Sequence, residues 1–505
     1  MTPRTPCARR HLGAFLAIVA MLALAAPART PLSAQTAGAD RFEPIRARIR
    51  EAIARGEVPS MAVAVASHGR IVWEEGFGLA DREHNVAATA QTPYSLASIS
   101  KPFTASALME LVEAGRIDLD RPANDYLGAA KITGLAGDAA GATVRRILSH
   151  TAGLPLHYQF FYAGDPYRRI NMDTAIARYA VLVNPPGFFE YSNLGFGIID
   201  YIIERMSGEP YERYMQEHVF DPLGLSHTFV GTGAGHPEAA VRYDTLERPV
   251  PFYDFDHRGA SALWASAHDL VRFGMFHLKD HLKDQRRILK DATLDEMHRL
   301  ATPPDAELGY GLGWIVTPDY DGFLRVGHTG GMPGVSTVLS LFPKQDLAVV
   351  VLTNHGYKPI VTQVLDDIGE TMLGAKYTEG RKAAAAKRAE AQKAAPPAPA
   401  ASIVGSWVGT VRTYTGTVPL SLTVKPDGDV HVTLGKALPT LLSSTHFGKA
   451  DLDGLFAGRI PIPDADRHDA VLLNLHLRGE KLAGEATAMS YELGAISSYV
   501  ELSRK

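Results

Sequence analysis

Apolar residues follow a helical spacing in "FEPIRARIREAIARG", residues 42–56. Gly56 ends this predicted helix, as glycine commonly does. The next segment, "MAVAVASHGRIVWEEGFG" at residues 61–78, has two strand-like runs that flank His68 and Gly69. This arrangement predicts a β-hairpin.

Strand-like runs return later in the same region, after a mostly helical and loop-rich middle. They are "FLRVGHTG", "VSTVLSLFP" and "LAVVVLTN", at residues 323–330, 335–343 and 347–354. A last helix is predicted over "PIVTQVLDDIGETML", residues 359–373. Strands at both ends with helices between them predict an α+β domain over residues 35–375, with one sheet built from both ends and a helical insertion.

The composition then changes twice. Residues 376–400 are rich in alanine, charged residues and finally proline, which predicts a linker that begins helical and becomes extended. In residues 401–505, the runs "LSLTV" and "VHVTL" alternate around the turn "KPDGD", and "LNLHL", "LAGEATA" and "SSYVEL" continue the pattern. We predict a small all-β, barrel-like domain, whose opening "GSWVGTV" resembles the first strand of lipocalin-like barrels.

Composition and charge narrow the classes of function. The 505 residues are 46% hydrophobic and 21% charged, which is globular and long enough for more than one domain. A net charge of -4 gives no reason to expect a nucleic-acid partner. Because CxxC and HExxH patterns are absent from the sequence, we predict neither a metal site nor a cofactor.

The N-terminus predicts export. Basic residues precede the uncharged run "HLGAFLAIVAMLALAAPA", which is followed by small-residue cleavage sites after Ala28 and Ala34. We predict a signal peptide over residues 1–34 and a periplasmic or secreted protein. The alternative is an uncleaved membrane anchor, the only membrane contact that this sequence suggests. The sole cysteine, Cys7, lies before the apolar run, so the processed chain would contain no disulfide.

The stretch "SLASISKPF" places Ser98 three residues before Lys101. Pro102 is tolerated only in the first turn of a helix, so a helix should begin close to Ser98. A serine hydroxyl becomes a good nucleophile when a neighbouring group takes its proton, and a desolvated lysine with a lowered pKa can do so. The structural alternative is a serine N-cap followed by a surface lysine.

Two further motifs help to decide whether Ser98 and Lys101 are catalytic or structural. "FEYSNLGFG" contains Tyr191 and Asn193, and "RVGHTGGMPG" contains His328, Thr329 and Gly330, which precede Gly331. Each has a structural reading of its own, as a packed tyrosine beside an asparagine turn and as a strand that ends in a glycine loop. Their occurrence in this order favours a catalytic interpretation.

These motifs resemble the serine β-lactamase and penicillin-binding-protein superfamily, in the branch of class C β-lactamases, D-stereospecific peptidases and related esterases. "ILSHTAGLP", "LWASAHDLVRF" and "YGLGW" also resemble that branch. The resemblance covers residues 41–375 and implies an αβα sandwich with an antiparallel sheet and an all-helical insertion.

The resemblance also implies roles for the motif residues. Ser98 would be the acylated nucleophile and Lys101 its proton partner, while Tyr191 would act as general base and acid, with its pKa lowered by Lys101. Substrate binding would involve Asn193 and the residues His328, Thr329 and Gly330. The backbone N–H groups of Ser98 and Gly331 would form the oxyanion hole, and glycine at 330 and 331 would allow close substrate approach.

One departure affects the predicted substrate. The third motif usually begins with a lysine that helps to hold a substrate carboxylate, whereas His328 is largely neutral near pH 7. We therefore predict an exported serine hydrolase that acts on small esters or D-amino-acid peptides, including peptidoglycan-derived ones. The alternatives are a class C-type β-lactamase or D-Ala-D-Ala carboxypeptidase, and a non-catalytic module that binds peptidoglycan fragments.

Two other features of the sequence have more than one interpretation. His150, in "LSHTAG", could act as a base, but the resemblance favours a structural loop residue near the site. The aromatic residues of "LPLHYQFFYAGDPY", residues 154–167, could line a substrate cleft or pack in the core.

Overall fold

We describe a computed structural model of the chain, over residues 40–356, 358–393, 398–448 and 450–505. The predicted signal peptide lies outside these residues. Contacts group Arg41–Lys505 into one unit. None of the helices in the described part of the chain is long and apolar enough to cross a membrane.

Fourteen strands precede residue 375 in the described chain. In chain order they are β1 (Ser60–Ser67), β2 (Arg70–Asp81), β3 (Val86–Ala87), β4 (Tyr94–Ser95), β5 (Thr133–Gly134), β6 (Tyr158–Tyr162), β7 (Val181–Leu182), β8 (Thr228–Val230), β9 (Tyr253–Phe255), β10 (Leu263–Ala265), β11 (Ile315–Tyr320), β12 (Phe323–Met332), β13 (Val335–Phe342) and β14 (Leu347–Thr353). Seven of them form an antiparallel sheet in the order β11-β12-β13-β14-β1-β2-β3. This order confirms one sheet built from both ends of the region.

The α-helices of the described residues complete this region and extend beyond it. They are α1 (Glu43–Ala54), α2 (Ser100–Glu113), α3 (Val144–Leu148), α4 (Met172–Tyr179), α5 (Asn193–Ser207), α6 (Tyr211–Tyr214), α7 (Asp221–Leu223), α8 (Arg258–Ser261), α9 (Ala267–Leu278), α10 (Asp291–Met297), α11 (Lys358–Leu373) and α12 (Ala375–Lys393). The predicted helices at both ends of the region correspond to α1 and α11.

Alternation along β1 explains the two layers of helices. Met61 and Val63 belong to one apolar cluster with residues of α1 and α11, whereas Ala62 and Ala64 belong to another with residues of α2 and α9. Successive side chains of a strand point to opposite faces of the sheet. The sheet is therefore covered by helices on both faces, which confirms the predicted αβα sandwich.

The hairpin predicted around His68 and Gly69 joins β1 to β2. Both residues have positive φ angles, of 53° and 69°. A two-residue turn of this kind matches the twist of antiparallel strands, and the left-handed conformation suits glycine because it has no Cβ.

The C-terminal strands form a nearly closed antiparallel barrel. They are β15 (Gly405–Thr413), β16 (Gly416–Val424), β17 (Val430–Leu434), β18 (Thr440–Leu441), β19 (Ser443–Phe447), β20 (Asp451–Ala457), β21 (Ala470–Arg478), β22 (Lys481–Ser490) and β23 (Gly494–Arg504). Their order is β18-β17-β16-β15-β23-β22-β21-β20-β19, which confirms the predicted barrel-like domain. Its likeness to lipocalins stays a prediction.

The barrel joins the α+β region that precedes it through backbone pairing. Gly494 and Ala495 at the start of β23 pair with Gln159 and Tyr158 of β6. Strand β6 also pairs with β9. The barrel is therefore continuous with a strand that enters the helical insertion, close to the residues of the predicted site.

The predicted linker begins as a docked helix. Tyr377 of α12 is fully buried in the apolar cluster of α1 and α11, and Arg381 forms ion pairs with Asp366 and Glu370. Residues 394–397 are outside the described chain. The exact domain boundaries stay predictions.

Candidate active site

Ser98 lies in the short helical turn Ala97–Ile99, directly before α2. Pro102 is the third residue of α2, where its missing N–H costs no helical hydrogen bond. Ala97 has a φ of 49°, in the left-handed region that is unfavourable for alanine. The packing around the turn thus holds a strained residue next to the half-buried Ser98.

The Lys101 side chain is inaccessible to solvent. Its Nζ atom lies 3.0 Å from Ser98 Oγ, 2.8 Å from Asn193 Oδ1 and 3.2 Å from the carbonyl oxygen of Ala260. Burial holds the pKa of Lys101 well below its usual value. Lys101 is thus desolvated, as expected from the sequence, and a lowered pKa favours the neutral form, which is the form that can accept the proton of Ser98.

Tyr191 completes a cluster of three proton-carrying groups. Its phenol hydrogen-bonds to the Ser98 side chain, and its ring lies 4.9 Å from Lys101 Nζ. Burial raises the pKa of Tyr191, and the hydrogen bond to Ser98 opposes this rise only in part. The expectation that Lys101 lowers this pKa was therefore wrong, because desolvation of the phenol outweighs the effect of its neighbours.

Asn193 is placed by the start of α5. Ser192 is the N-cap, and its Oγ accepts a hydrogen bond from the Gly195 N–H at 2.9 Å. The Asn193 N–H donates to the carbonyl oxygen of Leu156 at 3.0 Å. Because Asn193 Oδ1 faces Lys101, its amide nitrogen remains the donor that can meet a substrate.

His150 supports the loop that carries Tyr191. Its Nδ1 accepts a hydrogen bond from the Ser192 N–H at 3.1 Å, and its ring centroid lies 4.3 Å from that of Tyr191. Burial keeps the pKa of His150 well below its usual value. These contacts agree with a structural loop residue rather than a catalytic base.

The third motif lies on β12, where successive residues face opposite sides. Thr329 and Gly331 are exposed, whereas His328 and Gly330 are buried. A Cβ on Gly330 would lie 2.1 Å from the carbonyl oxygen of Leu96. Glycine is thus required at 330 by the packing of β12 against the nucleophile turn, not by the substrate as expected.

His328 does not reach the cleft as a cation. Its Nδ1 donates to the carbonyl oxygen of Thr329 at 2.7 Å, so in the neutral ring Nε2 accepts from the Tyr310 hydroxyl, also at 2.7 Å. Burial and the nearby Lys101 lower the pKa of His328 to about 3. The absence of a permanent charge at this position was correctly expected from the sequence.

A cleft of about 350 Å³ opens over the nucleophile. Of the predicted site residues, Ser98, Tyr191, Asn193 and Gly331 line it, and Lys101 lies beneath it. Thr329 is on the same side of β12 as Gly331 but does not line the cleft. Ser98 and Gly331, whose N–H groups are predicted to form the oxyanion hole, therefore line the same cleft.

Aromatic residues between the first two motifs help to form the cleft walls. Tyr158 and Phe160 line the cleft, together with Leu156. Phe160 also packs in an apolar cluster with Tyr253 and Phe255. Both interpretations of this segment hold, because the same side chains have one face in the cleft and another in the core.

The barrel contributes a wall of the cleft. Tyr491, in the turn between β22 and β23, lines the cleft mouth although 67% of its surface is exposed. Glu485 of β22 accepts a hydrogen bond from the Leu156 N–H. Leu156 in turn accepts from the Asn193 N–H, so the barrel touches the substrate site and the loop that supports it.

Four residues in or beside the site were not predicted from the sequence. They are Tyr310, Tyr491, Glu485 and the cleft-lining His257. Tyr310 occurs in "YGLGW", which the resemblance had singled out, so a signal for it existed. The other three occur in no motif. Among the described residues, no group of three or more His, Cys, Asp or Glu side chains is arranged to hold a metal ion.

Comparisons with known proteins identify the family of the chain. The family model for beta-lactamase matches residues 45–368, more than half of the chain. Penicillin-binding protein 4 of Amycolatopsis lactamdurans is 29% identical over 337 residues, which cover 63% of this chain and 85% of that protein.

Two solved structures share the fold. SurE matches with a TM-score of 0.60 and 23% identity over 92% of this chain and 99% of that one. A beta-lactamase/D-alanine carboxypeptidase from Pseudomonas syringae matches with a TM-score of 0.55 and 21% identity, over 66% and 98% of the two chains. The protein therefore belongs to the beta-lactamase family of serine hydrolases.

Proposed function

We propose that this protein is an exported hydrolase that cleaves ester or amide bonds through an acyl-enzyme on Ser98. The observation that carries the proposal is the placement of Ser98 Oγ within 3.0 Å of a buried Lys101 amine and in a hydrogen bond with Tyr191. A poor nucleophile is activated when adjacent groups can take its proton. The intact cluster argues against a non-catalytic binding module.

The residues act in two half-reactions. The Lys101 amine takes the proton of Ser98 as Oγ attacks the substrate carbonyl, and the N–H groups of Ser98 and Gly331 stabilise the oxyanion. The Tyr191 phenol, which is protonated because its pKa is raised, gives its proton to the leaving group and regains one from Lys101. Water then repeats the sequence on the acyl-enzyme, and the carboxylic acid leaves.

Esters and D-amino-acid derivatives suit this cleft better than substrates that need a carboxylate anchor. His328 is buried, neutral and bonded to Tyr310, so it offers no positive charge to a carboxylate. Among proteins of the same fold, SurE has been solved with D-Leu. We therefore propose esters and D-aminoacyl amides as better substrates than β-lactams and D-Ala-D-Ala peptides.

The test is intact-protein mass spectrometry at short reaction times. The folded protein is mixed separately with a nitrophenyl ester, a D-alanyl anilide, nitrocefin and a fluorophosphonate. We expect a covalent adduct on Ser98 with the fluorophosphonate and turnover of the ester or anilide, and no adduct in Ser98→Ala. Labelling that survives Ser98→Ala overturns the assignment, and turnover of nitrocefin alone supports a β-lactamase instead.

Export forms the second part of the proposal and rests on the sequence of residues 1–34. We expect the protein isolated from the periplasm or medium to begin after Ala28 or Ala34. N-terminal sequencing checks this. A full-length protein retained in the membrane would support the uncleaved anchor.

A further inference from the structure

A buried carboxylate lies behind the cleft with a histidine on each side. Asp256 follows β9 and is 2% exposed. Its Oδ2 is 2.7 Å from His157 Nε2, and its Oδ1 is 2.5 Å from His257 Nδ1. Oδ1 also accepts from the Gln159 N–H at 3.1 Å. A carboxylate accepts hydrogen bonds, so both histidines present a protonated nitrogen to Asp256.

The two histidines differ in the surroundings of the second ring nitrogen. His157 is fully buried and its ring stacks on Tyr179, with centroids 4.0 Å apart. His257 instead lines the cleft with Ser98 and Tyr191. The His257 side chain is only 1% exposed, and within the described residues no hydrogen bond to its Nε2 is found. Because Nδ1 faces Asp256, the ring edge that carries Nε2 is the edge that can border the cleft.

Asp256 determines which nitrogen of His257 carries the proton. With Nδ1–H committed to the carboxylate, Nε2 of the neutral ring is a hydrogen-bond acceptor. Burial lowers the pKa of His257, and the Asp256 carboxylate offsets this only in part, which favours the neutral form. The cleft therefore contains an oriented acceptor that the Ser98, Lys101 and Tyr191 chemistry does not use.

The other binding groups of the cleft are hydrogen-bond donors, so they are suited to a hydrogen-bond acceptor on the substrate. They are the side-chain amide of Asn193, whose oxygen accepts a hydrogen bond from Lys101, and the two backbone N–H groups that the proposed mechanism assigns to the oxyanion, on the cleft-lining residues Ser98 and Gly331. A substrate carbonyl satisfies these donors. A simple acyl group leaves His257 without a partner, whereas an aminoacyl group also supplies an N–H on the adjacent carbon.

We propose that His257 is a specificity-determining residue whose Nε2 accepts a hydrogen bond from the amine or amide N–H of an aminoacyl substrate. Asp256 is the positioning residue that orients it. The inference rests on the proposed acyl-enzyme at Ser98 and narrows its substrates to aminoacyl esters and amides.

The test compares two thioesters that differ only in the α-amino group, the D-alanyl and propionyl thioesters of thiophenol. The rate of adduct formation on Ser98 is followed by intact-protein mass spectrometry, which needs no knowledge of the natural leaving group. The α-ammonium group makes the D-alanyl carbonyl more electrophilic, so each rate is divided by the rate of uncatalysed hydrolysis of the same thioester. In the wild type, we expect this normalised rate to be at least tenfold higher for the D-alanyl compound, the effect of one hydrogen bond left unpaired in a desolvated site.

Two conservative variants separate substrate contact from stability. His257→Asn keeps a donor near the Nδ1 position for Asp256 and removes the acceptor that faces the cleft. His157→Gln keeps a donor near the Nε2 position for the same carboxylate and does not alter the cleft. We expect His257→Asn to lower the D-alanyl to propionyl rate ratio by about tenfold, and His157→Gln to leave that ratio unchanged.

Melting temperatures show whether both variants are folded, and a ratio of rates in one protein sample is insensitive to a partly inactive preparation. Equal normalised rates for the two thioesters in the wild type overturn the inference about His257. An unchanged ratio in His257→Asn, or the same fall in His157→Gln, also overturns it. Failure of both thioesters to acylate the folded wild type would instead contradict the proposed function itself.

Discussion

The nucleophile turn and the barrel contribute to the same cleft in different ways. Ser98 and Lys101 are three residues apart, and their contact follows from one turn of helix. Tyr491 reaches the cleft mouth only because β23 pairs with β6. In the proposed mechanism, the first region supplies proton transfer, and the second borders the entrance. We therefore expect that chemistry and substrate access can be altered separately in this protein.

The strongest test of this division removes the buried amine. Lys101→Met should lower kcat/KM by about 10³-fold, because general acid–base groups contribute roughly 10² to 10⁴ in rate. The loss should be similar for small and large esters, since the defect lies in proton transfer. Steady-state kinetics with both substrates checks this.

The exposed Lys382 of α12 offers a matched control, because Lys382→Met makes the same side-chain replacement at a residue that does not line the cleft. We expect it to behave as the wild type. A Lys101→Met enzyme that keeps activity within tenfold of the wild type would show that Ser98 is activated in another way.

The dependence of kcat/KM on pH, on its acid side, should also report the protonation of Lys101. The folded pKa of Lys101 lies well below its usual value, and only the neutral amine accepts a proton. As the pH falls through this lowered pKa, Lys101 becomes protonated and kcat/KM should fall roughly tenfold per unit. Profiles measured with substrates that do not ionise check this, and a rate that rises as the pH falls contradicts it.

Changes in the barrel should alter which sizes of ester are hydrolysed, and not the rate of the chemical step. Tyr491→Ala opens the cleft mouth, so kcat/KM for a bulky ester should rise up to about tenfold while that for a small ester stays nearly constant. The control is Leu438→Ala, which truncates another exposed side chain of the barrel that does not line the cleft. Equal effects of Tyr491→Ala on both esters would mean that the barrel does not limit access.

The same two regions show what could be predicted from the sequence. The motif order identified Ser98, Lys101 and Tyr191 because each motif places its residues by local geometry. His257, Tyr491 and Glu485 carry no such pattern, since their positions depend on how distant strands pair. Burial is equally non-local, which explains why the pKa of Tyr191 was expected to shift in the wrong direction.

The smallest expected effect is a change in stability with pH, caused by Glu485 at the contact between the barrel and the loop before Tyr191. Glu485 of the barrel is 3% exposed, and desolvation raises its pKa from 4.5 to about 7. The nearby Glu190, which precedes Tyr191, has its pKa raised by burial and by Glu485. The folded protein therefore binds more protons than the unfolded chain between pH 4.5 and 7, so its stability should fall as the pH rises through this range.

Glu485→Gln removes the ionisation and keeps an oxygen for the Leu156 N–H. We expect its melting temperature to match that of the wild type near pH 5 and to exceed it by about 1–3 °C at pH 8. Glu480→Gln, in the exposed turn between β21 and β22, should give no such difference. Differential scanning calorimetry at both pH values measures this, and a variant that is less stable at pH 8 would show that the ionised Glu485 stabilises the contact.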